Sequence, residues 1–456
     1  MQSRTNNLNQ SKAQNNYGYA YKLLIMRYLS FFFIFIFTIH IQAQKNSEKH
    51  KKELNRYFTA LTDLKKFNGN VLVTQNGKIL LDQTYTISNG PAALRVNKNS
   101  AFIIASVSKV FIKYAILKLE EQGKLKLSDK LSTIIPDFPD GNKISIENLL
   151  YHQSGLPREI RDYDKYENLS LEKTVELAKK ESLQFEPGTQ NLYSNVGYFI
   201  LHYIIDRSSD KGYQEFIKNE IIKKYQFKNT GEFNNTGTVS NFAYGFTQDD
   251  SAKTVPVSKT SINRFETGNY YSTIDDLYSF SKNLLSGKNI KKEQALKMFG
   301  KDSLLVQAGG RPGYRAYYYQ NLKTKTTFIF TSNFDDIPIQ KVTEDIINLL
   351  KDKPYTIPQK INKKQVAVSD DILKQYTGKF ALDVDKSQEF TVSLENNVLY
   401  IADKSGEKTK IYPESETSFF DNPESADGYQ FTKQADGKYG LIIISTGITL
   451  KTTRLE

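Results

Sequence analysis

The chain contains no cysteine, which excludes disulfides, thiolate catalysis, cysteine-ligated zinc and lipoprotein attachment. Histidine is scarce: His40, His50, His152 and His202 are the only four, and no two stand at metal-ligand spacing. A Ser-His-Asp arrangement would have to use His50, His152 or His202, none of which sits in a recognisable elbow context. Lysine and tyrosine are therefore favoured as bases. Internal repeats and basic blocks are lacking too. The net charge of +12 comes from lysines scattered along the chain, the mark of a solvated surface and not of a clustered nucleic-acid footprint. With 39% hydrophobic and 25% charged residues the chain reads as an ordinary soluble protein. Its 456 residues leave room for one large domain plus a smaller appendage.

The N-terminal hydrophobic run, Leu29–Ile39, is too short to span a bilayer and is broken by His40. Lys22 and Arg27 precede it and small Ala43 follows, so it reads as a signal peptide beginning at Met26. Residues 1–44 are then an N-terminal extension plus a leader, and the mature protein is exported, periplasmic or secreted. An uncleaved membrane anchor is the alternative.

Ser106-Val107-Ser108-Lys109 stands where the apolar run Ala101–Ala105 gives way to a helical pattern, Val110–Leu119, that closes at Gly123. Three residues make nearly one helical turn, so the hydroxyl and the amine share a face. A serine nucleophile with a lysine base needs that pairing, and the lysine must be desolvated to accept a proton. The same spacing recurs at Ser170/Lys173, Ser208/Lys211, Ser279/Lys282 and Ser405/Lys408, all in polar or charged stretches. Setting, not spacing, separates the first copy from the rest.

Asn76-Gly77 between two apolar-rich runs predicts a hairpin of Gly69–Gln75 with Lys78–Tyr85, after a helix over Ser47–Leu64. Helical patterns fill the middle of the chain. Strand patterns return at Ser303–Gln307, Tyr314–Asn321 and Thr326–Thr331, before a helix over Pro338–Leu350. Strands at both ends with helices between them predict an α+β domain over 45–355, with an antiparallel sheet closed by both termini and an inserted helical region. A linker over 356–369 precedes an all-β sandwich or barrel over 370–456, whose alternating runs are Glu389–Leu394, Asn397–Ile401, Lys408–Tyr412, Gly428–Thr432 and Gly440–Ser445.

Two more segments carry chemistry. Tyr193-Ser194-Asn195 follows a Pro-Gly turn and leads into the apolar helical run Val196–Leu201. A tyrosine facing a lysine can shuttle protons, and an Asn amide can orient the lysine and a substrate carbonyl. Gln307-Ala308-Gly309-Gly310-Arg311 is glycine-rich at the end of a strand. It reads either as an ordinary turn or as an edge strand along which a substrate backbone lies, lending an amide to an oxyanion.

In this order, and with the phrases Leu149–Pro157, Gly268–Leu277 and Ile372–Phe380, the chain resembles the class C β-lactamase-like serine hydrolases, a family that includes penicillin-binding carboxypeptidases, D-amino-acid peptidases and esterases. The resemblance runs from about Phe67 to Leu350, and the end of the chain is similar to a small accessory domain often fused to such enzymes. It implies Ser106 as nucleophile, Lys109 as its base partner, Tyr193 as proton relay and Asn195 as the group that orients Lys109 and substrate. The backbone amides of Ser106 and Gly310 would form the oxyanion hole. No cofactor or metal is implied. The substrate would be a small molecule or peptide from the cell envelope, with no nucleic acid and with membrane contact only during export.

The third segment departs from the family, whose motif usually opens with Lys or His and then Ser or Thr. Here Gln307 and Ala308 stand there. Gln307, Gly309 and Arg311 share a face of an extended strand, so Arg311 is expected to supply the missing cation, with Arg315 in reserve. The departure shifts the expectation from a true β-lactamase toward an esterase, amidase or D-amino-acid peptidase. A catalytically silent ligand-binding relative is the rival reading. The β-domain aromatics Tyr400, Tyr412, Phe419, Phe420 and Tyr429 are expected in its core, with a carbohydrate- or partner-binding surface as the alternative. Asp162–Leu169 and Glu232–Val255 are expected as pocket walls.

Overall fold

The computed structural model describes residues 46–88, 90–166, 169–233, 238–249, 253–257, 268–300, 302–386, 388–445 and 448–455. The leader expected over 1–44 lies outside these residues. Among those described, no helix is long and apolar enough to cross a membrane.

Helix α1 (46–63) leads into strands β1 (Gly69–Gln75) and β2 (Lys78–Tyr85). Asn76 and Gly77 both have positive φ, 51° and 76°, the backbone that matches the right-handed twist of a two-residue hairpin. The strand β3 (Phe102–Ile103) and a 3-10 turn, Ala105–Ser108, run into helix α2 (Lys109–Glu121). Helices α3 (Leu131–Ile134), α4 (Ile146–Leu150), α5 (Leu171–Ala178), α6 (Asn195–Ser208) and α7 (Gly212–Ile217) follow. The short strands β4 (Gly231–Glu232), β5 (Phe246–Gln248), β6 (Thr254–Pro256) and β7 (Tyr270–Ser272) form two small sheets, β3-β7-β4 and β5-β6. Helices α8 (Ile274–Asn283) and α9 (Lys292–Leu296) precede strands β8 (Leu304–Arg311), β9 (Tyr314–Asn321) and β10 (Thr326–Ser332), and helix α10 (Ile339–Leu350) follows them.

The main sheet is antiparallel in the order β2-β1-β10-β9-β8, so the N-terminal hairpin pairs with the last strand of the domain, Val71 opposite Phe330. This is the predicted closure by both ends. Every residue of β10 is buried, as a central strand covered on both faces requires. Helix α2 is apolar on nearly every side: Phe111, Ile112, Tyr114, Ala115, Ile116, Leu117 and Leu119 are all buried. A helix patterned this way can only sit inside a core, and it carries Lys109 in with it. Strand β8 is an edge of the sheet, and along it Leu305, Gly309 and Arg311 are buried while Val306, Ala308 and Gly310 are exposed.

After α11 (Asp370–Leu373), eight strands close a barrel: β11 (Gly378–Leu382), β12 (Glu389–Glu395), β13 (Val398–Ala402), β14 (Lys408–Pro413), β15 (Ser418–Phe420), β16 (Gly428–Lys433), β17 (Tyr439–Ser445) and β18 (Ile448–Arg454). Closure leaves no free sheet edge. Phe419 belongs to its core, and Tyr429 packs against that core. Tyr412 and Phe420 stack on each other at 5.8 Å, with Lys410 over Tyr412 and Lys363 of the preceding segment over Phe420.

Candidate active site

Lys109 Nζ donates to Ser106 Oγ over 3.1 Å, and the lysine is 1% exposed. Ser106 lies on the 3-10 turn and Lys109 is the first residue of the helix proper, so the pair straddles the junction. The turn is tightly held. Ala105, just before the serine, has φ of 46°, a conformation that costs a residue with a side chain free energy. Two glycines press on that backbone. A Cβ at Gly309 would stand 2.3 Å from Ile104 O and 3.1 Å from Ser106 N, and one at Gly268 would stand 2.9 Å from Ala105 C. Strand β8 therefore reaches the serine amide only because residue 309 lacks a side chain.

Tyr193 is held by a laced loop. Ser194 caps α6 by accepting from Gly197 N at 2.9 Å, donates to Pro157 O at 2.7 Å, and its own amide donates to His152 Nδ1 at 3.1 Å. That bond makes Nδ1 an acceptor and leaves the ring proton on Nε2. His152 stacks on Tyr193 with centroids 4.6 Å apart, and Arg158 covers the ring at 5.2 Å. Lys109 Nζ lies 5.2 Å from the same ring centre. Burial pushes the Tyr193 phenol above its ordinary value, while hydrogen bonds with Ser106 and Gln307 and the Arg158 charge pull it back. Burial first, then Lys109 and Lys113, takes His152 down to about 3, so the imidazole is neutral at neutral pH.

Asn195 Nδ2 donates to Glu159 Oε1 at 2.5 Å, and its Oδ1 is buried without a hydrogen-bond partner. The amide thus holds Glu159 with its donor end, and the residue lines the larger of the two cavities beside the Ser106–Lys109 pair.

Two cavities flank the Ser106–Lys109 pair. The larger, about 520 Å³, is lined by Ser106, Tyr193, Asn195, Gly310 and Arg311, together with Arg158, Glu159, Asp162 and Asp164. The Asp162–Leu169 segment thus walls the site as expected, with residues 167 and 168 outside the described ones. The described part of Glu232–Val255 does not line it. The smaller cavity, about 160 Å³, is lined by Lys109, Lys113, Tyr151, His152, Tyr198 and Gln307. Arg311 is 8% exposed and donates to Asn269 Oδ1 at 3.0 Å, and Arg315 donates to Arg311 O and Tyr314 O, both at 2.9 Å. Arg311 and Gln307 therefore line different cavities. Arg158 and Lys113 were not singled out from the sequence, and His152 was weighed there only as a member of a Ser-His-Asp arrangement. Arg158 follows Pro157 on a loop, and Asn195 N donates to Arg158 O at 2.8 Å, tying that loop beside Tyr193.

The Beta-lactamase family model matches residues 54–342. The chain belongs to the Beta-lactamase family. Penicillin-binding protein 4* of Bacillus subtilis is 26% identical over 89% of this chain and 98% of its own length. Two solved structures share the fold: an octameric penicillin-binding protein homologue from Pyrococcus abyssi, with TM-score 0.58, 19% identity and coverage of 86% of this chain and 97% of that one; and D-amino acid amidase from Ochrobactrum anthropi, with TM-score 0.56, 18% identity and coverage of 66% and 99%. This member of the Beta-lactamase family is thus a β-lactamase-fold protein of a serine hydrolase family that carries a C-terminal barrel.

Proposed function

We propose that this chain is an exported serine hydrolase that forms an acyl-enzyme on Ser106 and acts on peptide, amide or ester substrates of the cell envelope. The observation that carries the reading is the buried Lys109 ammonium nitrogen 3.1 Å from Ser106 Oγ, at the wall of a cavity of about 520 Å³. A lysine shielded from water can receive the serine proton as Oγ attacks a carbonyl carbon. The amides of Ser106 and Gly310 hold the developing oxyanion, and each such donor is worth on the order of 3 kcal/mol. Tyr193, which lines the same cavity as Ser106, passes a proton to the leaving amine or alcohol. A water then attacks the ester carbonyl, and Ser106 recovers its proton.

Gln307, neutral where the family pattern implies a cation, lowers the reading of a true β-lactamase below that of an amidase, peptidase or esterase. The shared fold of a D-amino acid amidase supports the amide class. Export rests on the leader-like segment before residue 45, and the N-terminal residue of the secreted protein tests it. The catalytic reading is tested with D- and L-phenylalanine amide, a D-Ala-D-Ala-terminated peptide and p-nitrophenyl acetate, using wild type and Ser106→Ala. Turnover that the substitution abolishes is expected. No turnover of the panel, with no covalent adduct on Ser106, would leave the silent ligand-binding relative.

A further inference from the structure

Gln307 is neutral and lines the same cavity as Lys109. The smaller cavity, which Gln307 lines from strand β8, is lined from helix α2 by Lys109 and Lys113. Four residues apart on one helix, the two lysines are neighbours on the same face, with Cβ atoms roughly 5–6 Å apart. Lys113 is half-buried, its ammonium lies 4.4 Å from the centre of the Tyr151 ring, and among the described residues no carboxylate pairs with it. A charge that is neither neutralised nor fully solvated acts on its surroundings at short range.

We propose that Lys113 is a positioning residue that supplies, from the helix side, the positive charge missing at Gln307, and that it acts through Lys109. This rests on the reading of Lys109 as the base. A cation beside Lys109 disfavours a second ammonium there and so keeps Lys109 ready to accept the Ser106 proton. The other groups around the cavity do not cancel it. His152, which feels both lysines, is neutral. Burial, with Glu147 and Glu120 behind it, pushes the Tyr151 phenol up to about 12, and burial raises Tyr198 further, so both rings are uncharged. Gln307 contributes no charge. Burial takes Lys113 itself down to about 8, so its charge is half lost at pH 8 and fades above it.

The sign follows. Lys109 must be unprotonated to act, and removing a neighbouring cation strengthens its hold on its proton. The acid limb of the pH–rate profile must then move to higher pH.

The test is the pH dependence of the second-order rate of Ser106 acylation, followed by intact mass with benzylpenicillin or with p-nitrophenyl acetate, for wild type, Lys113→Met, Lys113→Gln and Lys113→Arg. The two neutral variants are expected to shift the acid limb upward by about one pH unit, giving a loss of roughly tenfold at pH 7 that vanishes at high pH, while Lys113→Arg leaves the limb in place. Adding Gln307→Lys to Lys113→Met is expected to bring the limb back. A merely structural role would lower the rate at all pH values and would not be rescued from strand β8. An unshifted limb in whichever neutral variant folds, or no rescue by Gln307→Lys, overturns the proposal. Absence of any Ser106 adduct in wild type would instead overturn the proposed function on which it rests.

Discussion

At Ser106–Lys109 the serine sits on a tight 3-10 turn ahead of a helix buried on nearly every side, and its lysine is buried 3.1 Å away. At Ser170–Lys173 the spacing is the same, yet the serine is the N-cap of α5, accepting from the Lys173 amide at 3.2 Å, and the lysine side chain is exposed. The first serine is offered to a cavity. The second is spent on a helix terminus, satisfying one of the amides that would otherwise lack a partner. Four residues in a row specify neither outcome. What separates them is the helix each pair joins: Val110–Leu119 is buried on nearly every side and carries Lys109 in, whereas Leu171–Ala178 buries one face and leaves Lys173 in water.

The strongest way to break this comparison is to remove each lysine. Lys109→Met is expected to slow acylation of Ser106 by about 10²- to 10⁴-fold, the range of a lost general base, while Lys173→Met leaves it unchanged; equal effects would erase the distinction. Next comes the turn itself. Gly309→Ala places a Cβ against Ile104 O, which it would meet at 2.3 Å, and must push β8 away from the serine. Acylation is expected to fall about 10²-fold, as misplacement of a reacting group by an ångström can cost, and single-turnover kinetics would show it.

Burial of titratable groups gives a third contrast. His152 and His202 are taken down to about 3 and about 4, chiefly by burial, against an unfolded value near 6.5. The unfolded chain therefore binds more protons in that window, so stability is full above pH 6.5 and is lost as pH falls toward 3. Urea titrations at pH 7 and pH 5 should show a lower midpoint at pH 5, and His202→Gln should reduce the difference. A smaller effect is expected at Arg158, whose side chain is 69% exposed. Removing its charge with Arg158→Ala raises the Tyr193 phenol and moves the alkaline limb of turnover upward, with rate changes below about fivefold, the worth of an exposed charge. The smallest is Ser170→Ala, which costs about 1 kcal/mol of stability in urea unfolding and leaves acylation untouched.

Much of the fold was legible because its signals are local. Asn76-Gly77 dictates its own hairpin, and the alternating runs of the barrel announce their strands. The β-domain strands not anticipated were β15, only three residues long, β11, read only as the opening phrase of that domain, and β18 at the end of the chain. In the candidate site, Ser106, Lys109 and Tyr193 do converge. Arg158 and His152 could not be read, because they reach Tyr193 through backbone pairing with residues some forty positions away, such as Leu192 N with His152 O. Lys113 was visible at four residues beyond Lys109, but its partners in the cavity, Tyr151 and Gln307, come from α4's end and from β8. Of the barrel aromatics expected inside, Phe419 and Phe420 are buried, whereas Tyr412 is only partly so and stacks on Phe420 with Lys410 over its ring, since alternation alone does not say which face a closed barrel turns inward.

The central claim is that the buried pair makes an acyl-enzyme. The most direct measurement is the intact mass of residues 45–456 over time with benzylpenicillin, with the adduct mapped by peptide sequencing and Ser106→Ala as control. A single added penicilloyl group on Ser106, absent from the control, is the result expected. An adduct that persists in Ser106→Ala, or that maps to another serine such as Ser170, would contradict the account.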